Sequence, residues 1–281
     1  MSESNFINIK GELMALSMPK VMGIINLTAD SFYDGGKIKS DKDLLIKVEK
    51  MVAEGVDILD VGAYSSRPGA TDISMRDEWD AAITGIDAIL KQFPEAVISI
   101  DSFRSTVAKG AWEHGASIVN DISAGNLDAT MFDVIAEINV PYIMMHMRGN
   151  PQTMTQLTGY DHLVSEIIDY FNAKAKELRS RGVKDIIIDP GFGFAKTKEQ
   201  SFELLNKLSS LKILEVPILC GVSRKSMIFK ELESSPDQAL NGTTALNMAC
   251  LMNGASILRV HDAKEAKETI KLHEAMTNSN I

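Results

Sequence analysis

The segment Ile186-Ile187-Ile188-Asp189 has the pattern that decides the fold of this sequence: a short apolar run that stops at a polar residue. Seven further runs stop in a similar way, and most are rich in Val and Ile without alternation. Parallel strands have this composition because helices cover the sheet. The predicted strands are Val21–Ile25, Val56–Val61, Val97–Ile100, Ser117–Val119, Val140–Met145, Ile186–Ile188, Val216–Val222 and Ser256–Val260.

Most segments between these runs carry apolar residues at helical spacing, such as Leu44, Val48 and Met51 in the first segment. Strands that alternate with helices predict an α/β protein with a parallel sheet, and eight repeats favour closure into a (β/α)8 TIM barrel. We therefore expect a single barrel domain over residues 19–277, preceded by an N-terminal extension over residues 1–18.

Polar residues follow the predicted strands, and a TIM barrel brings the carboxyl ends of its strands to the face that holds the active site. Asp101, Asn120 and Asp189 end the third, fourth and sixth strands. Such groups are costly to bury unless they bind something, and together they match the amino-pyrimidinone edge of a heterocycle. The alternative is a hydrogen-bonded network that only ties loops together. Asp121 must point the other way, so we expect it to be structural.

Cationic residues follow the last two strands, and Asn26 ends the first strand. The segment Gly221–Ser226 (GVSRKS) is expected to open a helix that attracts anions, with Lys225 donating to a carbonyl or ring nitrogen. Arg259 and His261 share one face of the eighth strand, next to the first strand. Together with Asn26, which could ligate Mg²⁺ or bind phosphate, they predict an anion site. A surface salt bridge, a helix cap and a turn are the respective alternatives for Arg259, His261 and Asn26.

Composition and missing motifs exclude several classes of function. The net charge of −9, without blocks of like charge, argues against nucleic acid or an anionic membrane as a partner. No segment approaches the roughly 20 apolar residues of a membrane span. Cys220 and Cys250 lack metal-type spacing and favour a reduced, cytoplasmic setting. Zinc-hydrolase and serine-hydrolase motifs are missing from the sequence. His146, after the fifth strand, could line the pocket or be a satisfied core-edge histidine.

Several short motifs follow one another along the chain. The first is Met22–Gly36 (MGIINLTADSFYDGG) and the second is Asp60–Gly69 (DVGAYSSRPG). The others are SIDS at 99–102, VNDI at 119–122, DPGFGFAK at 189–196, GVSRKS at 221–226 and RVH at 259–261. In sequence and in order, these motifs resemble those of the dihydropteroate synthases. The resemblance covers nearly the whole chain, from about residue 19 to the last predicted helix, and an ordered set of motifs is more specific than any single one.

The resemblance implies a pterin-binding TIM barrel that condenses 6-hydroxymethyl-7,8-dihydropterin diphosphate with 4-aminobenzoate. The products would be 7,8-dihydropteroate, on the route to tetrahydrofolate, and diphosphate. The resemblance also implies Mg²⁺ as cofactor, competition by sulfonamides, which resemble 4-aminobenzoate, and a homodimer formed through the outer helices.

The same resemblance implies roles for individual residues. The pterin ring would be bound by Asp101, Asn120, Met144, Asp189, Lys225 and Arg259, with Arg259 stacking on it. The diphosphate would be bound by Asn26, Arg259 and His261, with Asn26 also near Mg²⁺. The aminobenzoate side would be formed by Ser66, Arg67, Pro68, Phe194 and Ser226. The residues expected to matter most for catalysis are Asp34, Asp101, Lys225 and Arg259.

Three positions depart from the family pattern. Ala29 replaces the usual Pro, which should loosen the first loop, while Tyr64 and Ser66 replace the usual Glu and Thr. Two other functions stay open from sequence. One is a related barrel that passes a methyl group from a folate to a corrinoid protein, which would not need the cations of the last two motifs. The other is a non-catalytic pterin-binding protein.

Overall fold

The computed structural model describes residues 6–27, 41–65 and 72–279 of the 281-residue chain. The strands in these ranges are β1 (Phe6–Ile9), β2 (Glu12–Ala15), β3 (Lys20–Asn26), β4 (Ile58–Gly62), β5 (Ile98–Asp101), β6 (Ile118–Asp121), β7 (Tyr142–Met145), β8 (Ile186–Asp189), β9 (Leu219–Cys220) and β10 (Ile257–Val260). The α-helices are α1 (Asp41–Ala53), α2 (Met75–Gln92), α3 (Ser105–Glu113), α4 (Met131–Ile138), α5 (Leu163–Ser180), α6 (Lys198–Asn206), α7 (Ser226–Glu231), α8 (Leu240–Met252) and α9 (Ala263–Asn278). Short 3-10 helices span Met154–Gln156, Leu208–Leu214 and Pro236–Gln238.

Strands β3 to β10 form one parallel sheet. From β3 to β8 each strand pairs with the next, and β10 pairs with both β3 and β9. A parallel bridge between Ile188 in β8 and Ile218, just before β9, joins the two ends of this order. Each of the eight predicted strands is present, and the predicted (β/α)8 TIM barrel is confirmed.

The barrel interior has two zones, an apolar one at the amino ends of the strands and a polar one at their carboxyl ends. At the amino ends, the interior holds a cluster of apolar side chains: Met22, Ile58, Ile118, Ile143, Ile187, Leu219 and Ile257. Side chains of a strand return to the same face every second residue. The next interior positions of β4, β6, β8 and β10 are therefore Asp60, Asn120, Asp189 and Arg259. The intervening residues pack outward against the helices.

Asp121 shows this division clearly, because it lies beside Asn120 but faces away from the interior. Its carboxylate accepts hydrogen bonds from Ser123, from the N–H of Gly125 and from the hydroxyl of Tyr142 at 2.6 Å. These partners tie the loop after β6 to β7, so the predicted structural role of Asp121 is confirmed. Cys220 is fully buried, as expected. In the described ranges, no helix combines the length and apolarity needed to cross a bilayer.

The N-terminal segment forms an antiparallel β1–β2 hairpin that the sequence motifs did not predict. Its turn uses Lys10 and Gly11, both with positive φ (52° and 93°), as a tight two-residue hairpin requires. Ile7 and Ile9 are buried against the apolar cluster at the amino ends of the barrel strands. The hairpin thus covers the end of the barrel opposite the polar zone.

Substitution of Ile7 tests how much this hairpin stabilises the barrel. Ile7→Ala should lower the free energy of unfolding by about 2–4 kcal/mol, because Ile7 is 1% exposed and its loss leaves a cavity. Leu13 in the same hairpin is 69% exposed, so Leu13→Ala should change the free energy of unfolding by less than about 0.5 kcal/mol. Urea unfolding curves with unchanged slope measure both values. Equal effects of the two substitutions would contradict the covering role of the hairpin.

Candidate active site

Arg259 is the centre of the polar zone, because its guanidinium bridges two carboxylates from different strands. Its Nε donates to Asp60 Oδ2 at 2.6 Å, and its Nη2 donates to Asp101 Oδ2 at 2.5 Å. Burial disfavours the charge of Arg259, but the two carboxylates outweigh burial and raise its pKa. Burial also raises the pKa of Asp101, against the attraction of Arg259. One cation thus holds two acids that lie close together in the barrel interior.

Asp60 extends this cluster to Asn120, whose Nδ2 donates to Asp60 Oδ2 at 3.1 Å. The side chain of Asp60 is fully buried, and its Oδ1 has no hydrogen-bond partner among the described residues. The sequence motifs predicted no role for Asp60, although it follows Ile58 by two residues and therefore shares the interior face. Strand parity was the signal that could have identified it.

Asp189 and Lys225 meet on the opposite side of the mouth, around Gly221. A Cβ built on Gly221 would lie 3.9 Å from Asp189 Oδ2, 3.9 Å from Lys225 Nζ and 3.8 Å from Arg259 Cβ. The glycine therefore leaves a space that three predicted pterin-binding residues surround. Burial lowers the pKa of Lys225 to about 8, against the attraction of Asp189. Burial raises the pKa of Asp189, against the attraction of Lys225.

Lys225 is oriented by the loop that follows β8. Its Nζ donates to the carbonyl oxygen of Phe192 at 2.6 Å and lies 4.7 Å from the centroid of the Phe194 ring. Ser226, also predicted for the aminobenzoate side, is the exposed first residue of α7. Two of the residues predicted for this side, Phe194 and Ser226, therefore flank Lys225.

Asn26 and His261 lie at the carboxyl ends of β3 and β10, which are neighbouring strands. The Oγ of Ser223 accepts from the backbone N–H of His261 at 3.2 Å and lies 2.9 Å from its Nδ1. The Ser223 hydroxyl can also donate, and the tautomer in which it donates to Nδ1 has the imidazole proton on Nε2. Burial, then the charges of Lys47 and Arg259, lower the pKa of His261 to about 3. His261 is thus a neutral imidazole. Lys47 was not predicted from the motifs.

The turn before Lys225 is fixed by Arg224, which has a positive φ of 54°. Its guanidinium donates to both carboxylate oxygens of Asp262 at 2.9 Å, and its backbone N–H donates to Thr243 Oγ1 at 3.0 Å. This ion pair joins the loop after β9 to the residue that follows His261. It therefore fixes the predicted anion-binding residues relative to one another.

The prediction that Met144 binds the pterin is wrong, because Met144 does not lie with the other predicted pterin residues. It packs in the layer between strands and helices, together with Tyr142. Met145 occupies the interior face and packs in a cluster that Phe194 contacts. Since neighbouring strand residues face opposite sides, the interior position belongs to Met145.

The predicted residues Asp34, Ser66, Arg67 and Pro68, and the departure Ala29, lie outside the described residues. Tyr64 is described, and its ring packs edge-on against Phe103, with centroids 4.9 Å apart. Arg104 lies 5.4 Å from the centroid of the same ring. The guanidinium of Arg104 also donates a hydrogen bond to the buried carboxylate of Glu78. The same carboxylate accepts from the hydroxyl of Ser102 at 2.6 Å. Tyr64 therefore contacts the loop that directly follows Asp101.

The donor set fits a metal bound mainly by ligands other than protein. Within residues 6–27, 41–65 and 72–279, no group of three or more His, Cys, Asp or Glu side chains is placed to hold a metal ion. Asn26 supplies one neutral amide at the barrel mouth, near His261. Mg²⁺ commonly keeps water and phosphate oxygens and takes few protein ligands. Asn26 is compatible with that mode.

Comparison with known proteins agrees with this geometry. A family model described as pterin binding enzyme matches residues 22–261. A dihydropteroate synthase of Synechocystis sp. is 42% identical over 259 residues, which cover 91% of this chain and 89% of that protein. A Yersinia pestis dihydropteroate synthase with a sulfonamide drug superposes with a TM-score of 0.92 at 33% identity, covering 97% of this chain and 99% of that one.

A Xanthomonas albilineans dihydropteroate synthase with 4-aminobenzoic acid superposes with a TM-score of 0.90 at 32% identity, covering 98% of each chain. The matches in sequence and in structure thus extend over almost the whole barrel. The chain belongs to the pterin binding enzyme family and, within it, to the dihydropteroate synthases.

Proposed function

We propose that this barrel condenses 6-hydroxymethyl-7,8-dihydropterin diphosphate with 4-aminobenzoate to give 7,8-dihydropteroate and diphosphate. The observation that carries the proposal is the convergence of five predicted pterin residues at one end of the barrel: Asp101, Asn120, Asp189, Lys225 and Arg259. Their contacts or near approaches link β5, β6, β8, β10 and the loop after β9. Membership of the family supports the same reaction.

The donors and acceptors of the site complement the pterin ring. Asp101 and Asp189 supply carboxylate acceptors for ring and amino N–H groups, and Asn120 and Lys225 supply donors. A carboxylate has about four acceptor positions, so the bond from Asp101 to Arg259 leaves room for a ligand. The guanidinium plane of Arg259, held at Nε and Nη2, offers a flat cationic surface for stacking.

The charges also suit departure of diphosphate from the pterin methylene carbon. Negative charge develops on the leaving group, where Arg259 and the Nε2–H of His261 would stabilise it. Positive charge develops on the pterin, where the carboxylates of Asp60, Asp101 and Asp189 favour it. Because the charged groups are held in place before substrate arrives, little reorganisation is needed in the transition state. The amine of 4-aminobenzoate then forms a bond to the methylene carbon, in place of the broken bond to the diphosphate oxygen, and loses one proton to water. Because the carbon is already cationic, the attack needs no strong base.

The aminobenzoate side would lie next to Lys225, against Phe194 and Ser226. The bound 4-aminobenzoic acid in the Xanthomonas albilineans relative supports this substrate. Asp34, Ser66, Arg67 and Pro68 are proposed to complete the site from the first two loops. Their role would be to position the amine and exclude water.

Mg²⁺ is the proposed cofactor, bound by Asn26 together with the diphosphate of the substrate and helped by Asp34. Bound there, it would neutralise charge on the diphosphate. The remaining interactions with the diphosphate are those of Arg259 and His261.

A homodimer in the cytoplasm is proposed as the setting of the reaction. Exposed apolar side chains on α8 and α9 support self-association through the outer helices, among them Met252, Leu272 and Met276. The free, buried thiols of Cys220 and Cys250 support a reducing compartment.

Product formation tests the proposal directly. Purified protein given the pterin diphosphate, 4-aminobenzoate and Mg²⁺ should release dihydropteroate and diphosphate at equal rates, measured by chromatography and a coupled diphosphate assay. Chelation should abolish both products, and added Mg²⁺ should restore them. Tight pterin binding without product would instead favour a non-catalytic pterin-binding protein.

Substitution of Asp101 tests the predicted pterin acceptor. Asp101→Asn keeps the shape but removes the charge that Arg259 and the pterin share, so kcat/KM for the pterin diphosphate should fall by roughly 100-fold or more. Asp87→Asn, at an exposed carboxylate of α2, is the matched control and should leave the rate unchanged. Circular dichroism checks the fold of both variants. Near-normal turnover of Asp101→Asn would exclude this role.

The pH profile tests Lys225 as a charged donor. Its pKa is lowered to about 8, so it is an ammonium below that pH and loses its charge above it. The value of kcat/KM for the pterin diphosphate should therefore fall as pH rises through about 8. In Lys225→Arg, whose guanidinium stays charged to above about pH 12, activity should be lower but this fall should vanish. Initial rates at constant ionic strength measure kcat/KM as a function of pH. If kcat/KM fell in the same way in Lys225→Arg, the titrating group would not be Lys225.

A further inference from the structure

Lys196, the last residue of the motif Asp189–Lys196, is a buried cation whose described hydrogen-bond partners are neutral acceptors. Its Nζ lies 2.9 Å from Nδ1 of His146 and donates to the carbonyl oxygens of Gly191 and Phe194, each at 3.0 Å. The carbonyl oxygen of His146 lies at 3.4 Å. The side chain is 7% exposed. A buried charge is costly unless it is hydrogen-bonded, so these acceptors are what allows the ammonium to be buried here.

These bonds join the end of β7 to the loop 190–195. Gly191 has a φ of +70°, and a Cβ there would lie 2.2 Å from the carbonyl oxygen of His146, so the loop packs directly on the strand end. The N–H of Phe194 donates to the carbonyl oxygen of Gly191 at 3.0 Å, which closes a tight turn. Thr197 caps α6 with a capping box, which fixes the backbone beside Lys196. The side chain of Lys196 then reaches back and fastens the loop it follows.

The protonation of the pair makes Lys196 the donor. Burial, then the charges of Lys196 and Arg148, lower the pKa of His146 to about 2, so the imidazole is neutral. Because an ammonium can only donate, Nδ1 of His146 is the acceptor of its bond with the protonated Lys196. Of the two readings of His146 from sequence, the satisfied core-edge histidine therefore fits. Burial lowers the pKa of Lys196 to about 7. The negative charge of Asp189 opposes this shift, whereas the positive charges of Lys225 and Arg148 add to it. An ammonium has three protons for its three nearest acceptors, whereas an uncharged amine has two.

The fastened loop contacts Lys225 of the candidate site through two of its residues. The carbonyl oxygen of Phe192 accepts from Lys225, and the ring of Phe194 lies over the same ammonium. Phe192 is fully buried and anchors the loop by itself, whereas Phe194 is only partly buried. The carbonyl of Phe194 is bound by Lys196. Loss of Lys196 should therefore release Phe194 more than Phe192.

We propose that Lys196 is a positioning residue that holds the loop 190–195 so that Phe194 forms the aminobenzoate side of the pocket. The inference rests on the proposed function, because the loop is assigned there to 4-aminobenzoate. Lys196 does not contact substrate in this role. It acts through Gly191 and Phe194, the two loop residues whose carbonyl oxygens it binds.

Three variants of the full-length protein test this role. Lys196→Met removes all the donors and Lys196→Gln keeps two of them, while Lys198→Met is the matched control. Lys198 is more exposed, and its ammonium pairs with Glu231 on the surface. Hydrogen exchange of the peptide spanning 191–196 should be accelerated at least about tenfold in Lys196→Met and unchanged in the control.

Steady-state kinetics supply the second measurement. In Lys196→Met, the KM for 4-aminobenzoate should rise about tenfold or more, whereas the dissociation constant of the pterin diphosphate should change less than about threefold. Lys196→Gln should lie between Lys196→Met and the wild type, and it replaces Lys196→Met if circular dichroism shows that variant unfolded. The control should match the wild type in both constants.

Each other outcome overturns a defined part of the account. Unchanged hydrogen exchange of the 191–196 peptide in Lys196→Met would show that Lys196 does not hold this loop. If the melting temperature were also lower, Lys196 would contribute only to the overall stability of the protein. Faster exchange with an unchanged KM for 4-aminobenzoate would remove its link to the pocket. A wild-type protein that forms no dihydropteroate would refute the proposed function, and the exchange data alone would then decide whether Lys196 holds the loop.

Discussion

The ion pairs of Arg259 with Asp60 and Asp101 are the interaction on which the candidate site depends. Three charged side chains from β4, β5 and β10 meet inside a barrel, where isolated charges would be expensive. They are tolerated because the guanidinium bonds both carboxylates at 2.5–2.6 Å and Asn120 adds a further donor. Each partner therefore depends on the others, and Asp60, to which the sequence analysis assigned no role, is as central as the residues that it predicted for the site.

The division of the barrel interior explains how this cluster can exist without destabilising the fold. Apolar side chains fill the amino-terminal half, where the β1–β2 hairpin also covers them, and polar side chains are confined to the carboxyl-terminal half. The apolar core and the polar candidate site thus occupy successive interior positions of the same strands. Gly221 and Gly62 belong to the polar half. Gly221 leaves space between Asp189 and Lys225, and Gly62 admits the side chain of Asp101, whose Cβ would be 3.1 Å from a Cβ at that position.

The loops around the site are held by ion pairs and hydrogen bonds of buried or half-buried side chains. Arg224 binds Asp262 across two loops, Glu78 binds Ser102 and Arg104 next to Asp101, and Lys196 binds the loop after β8. Such contacts hold the predicted site residues on a fixed frame, as the proposed mechanism of preorganised charge requires. Tyr64 contributes to the same frame where the family pattern has a Glu. Its ring packs against Phe103 and Arg104, and this packing offers a physical reason why the substitution is compatible with the fold.

The sequence alone determined the strands, the closed barrel and the end of it that carries the chemistry, because these follow from local patterns: apolar runs, their polar ends and the fixed direction of parallel strands. It also identified most of the residues that meet there. The prediction of Met144 instead of Met145 came from the family resemblance, and the parity of the strand was not applied to it. Only the tertiary structure decided the burial of the hairpin and the partners of Asp60 and Lys196. Those depend on contacts between segments far apart in the chain, such as the 199 residues that separate Asp60 from Arg259, and no local pattern encodes them.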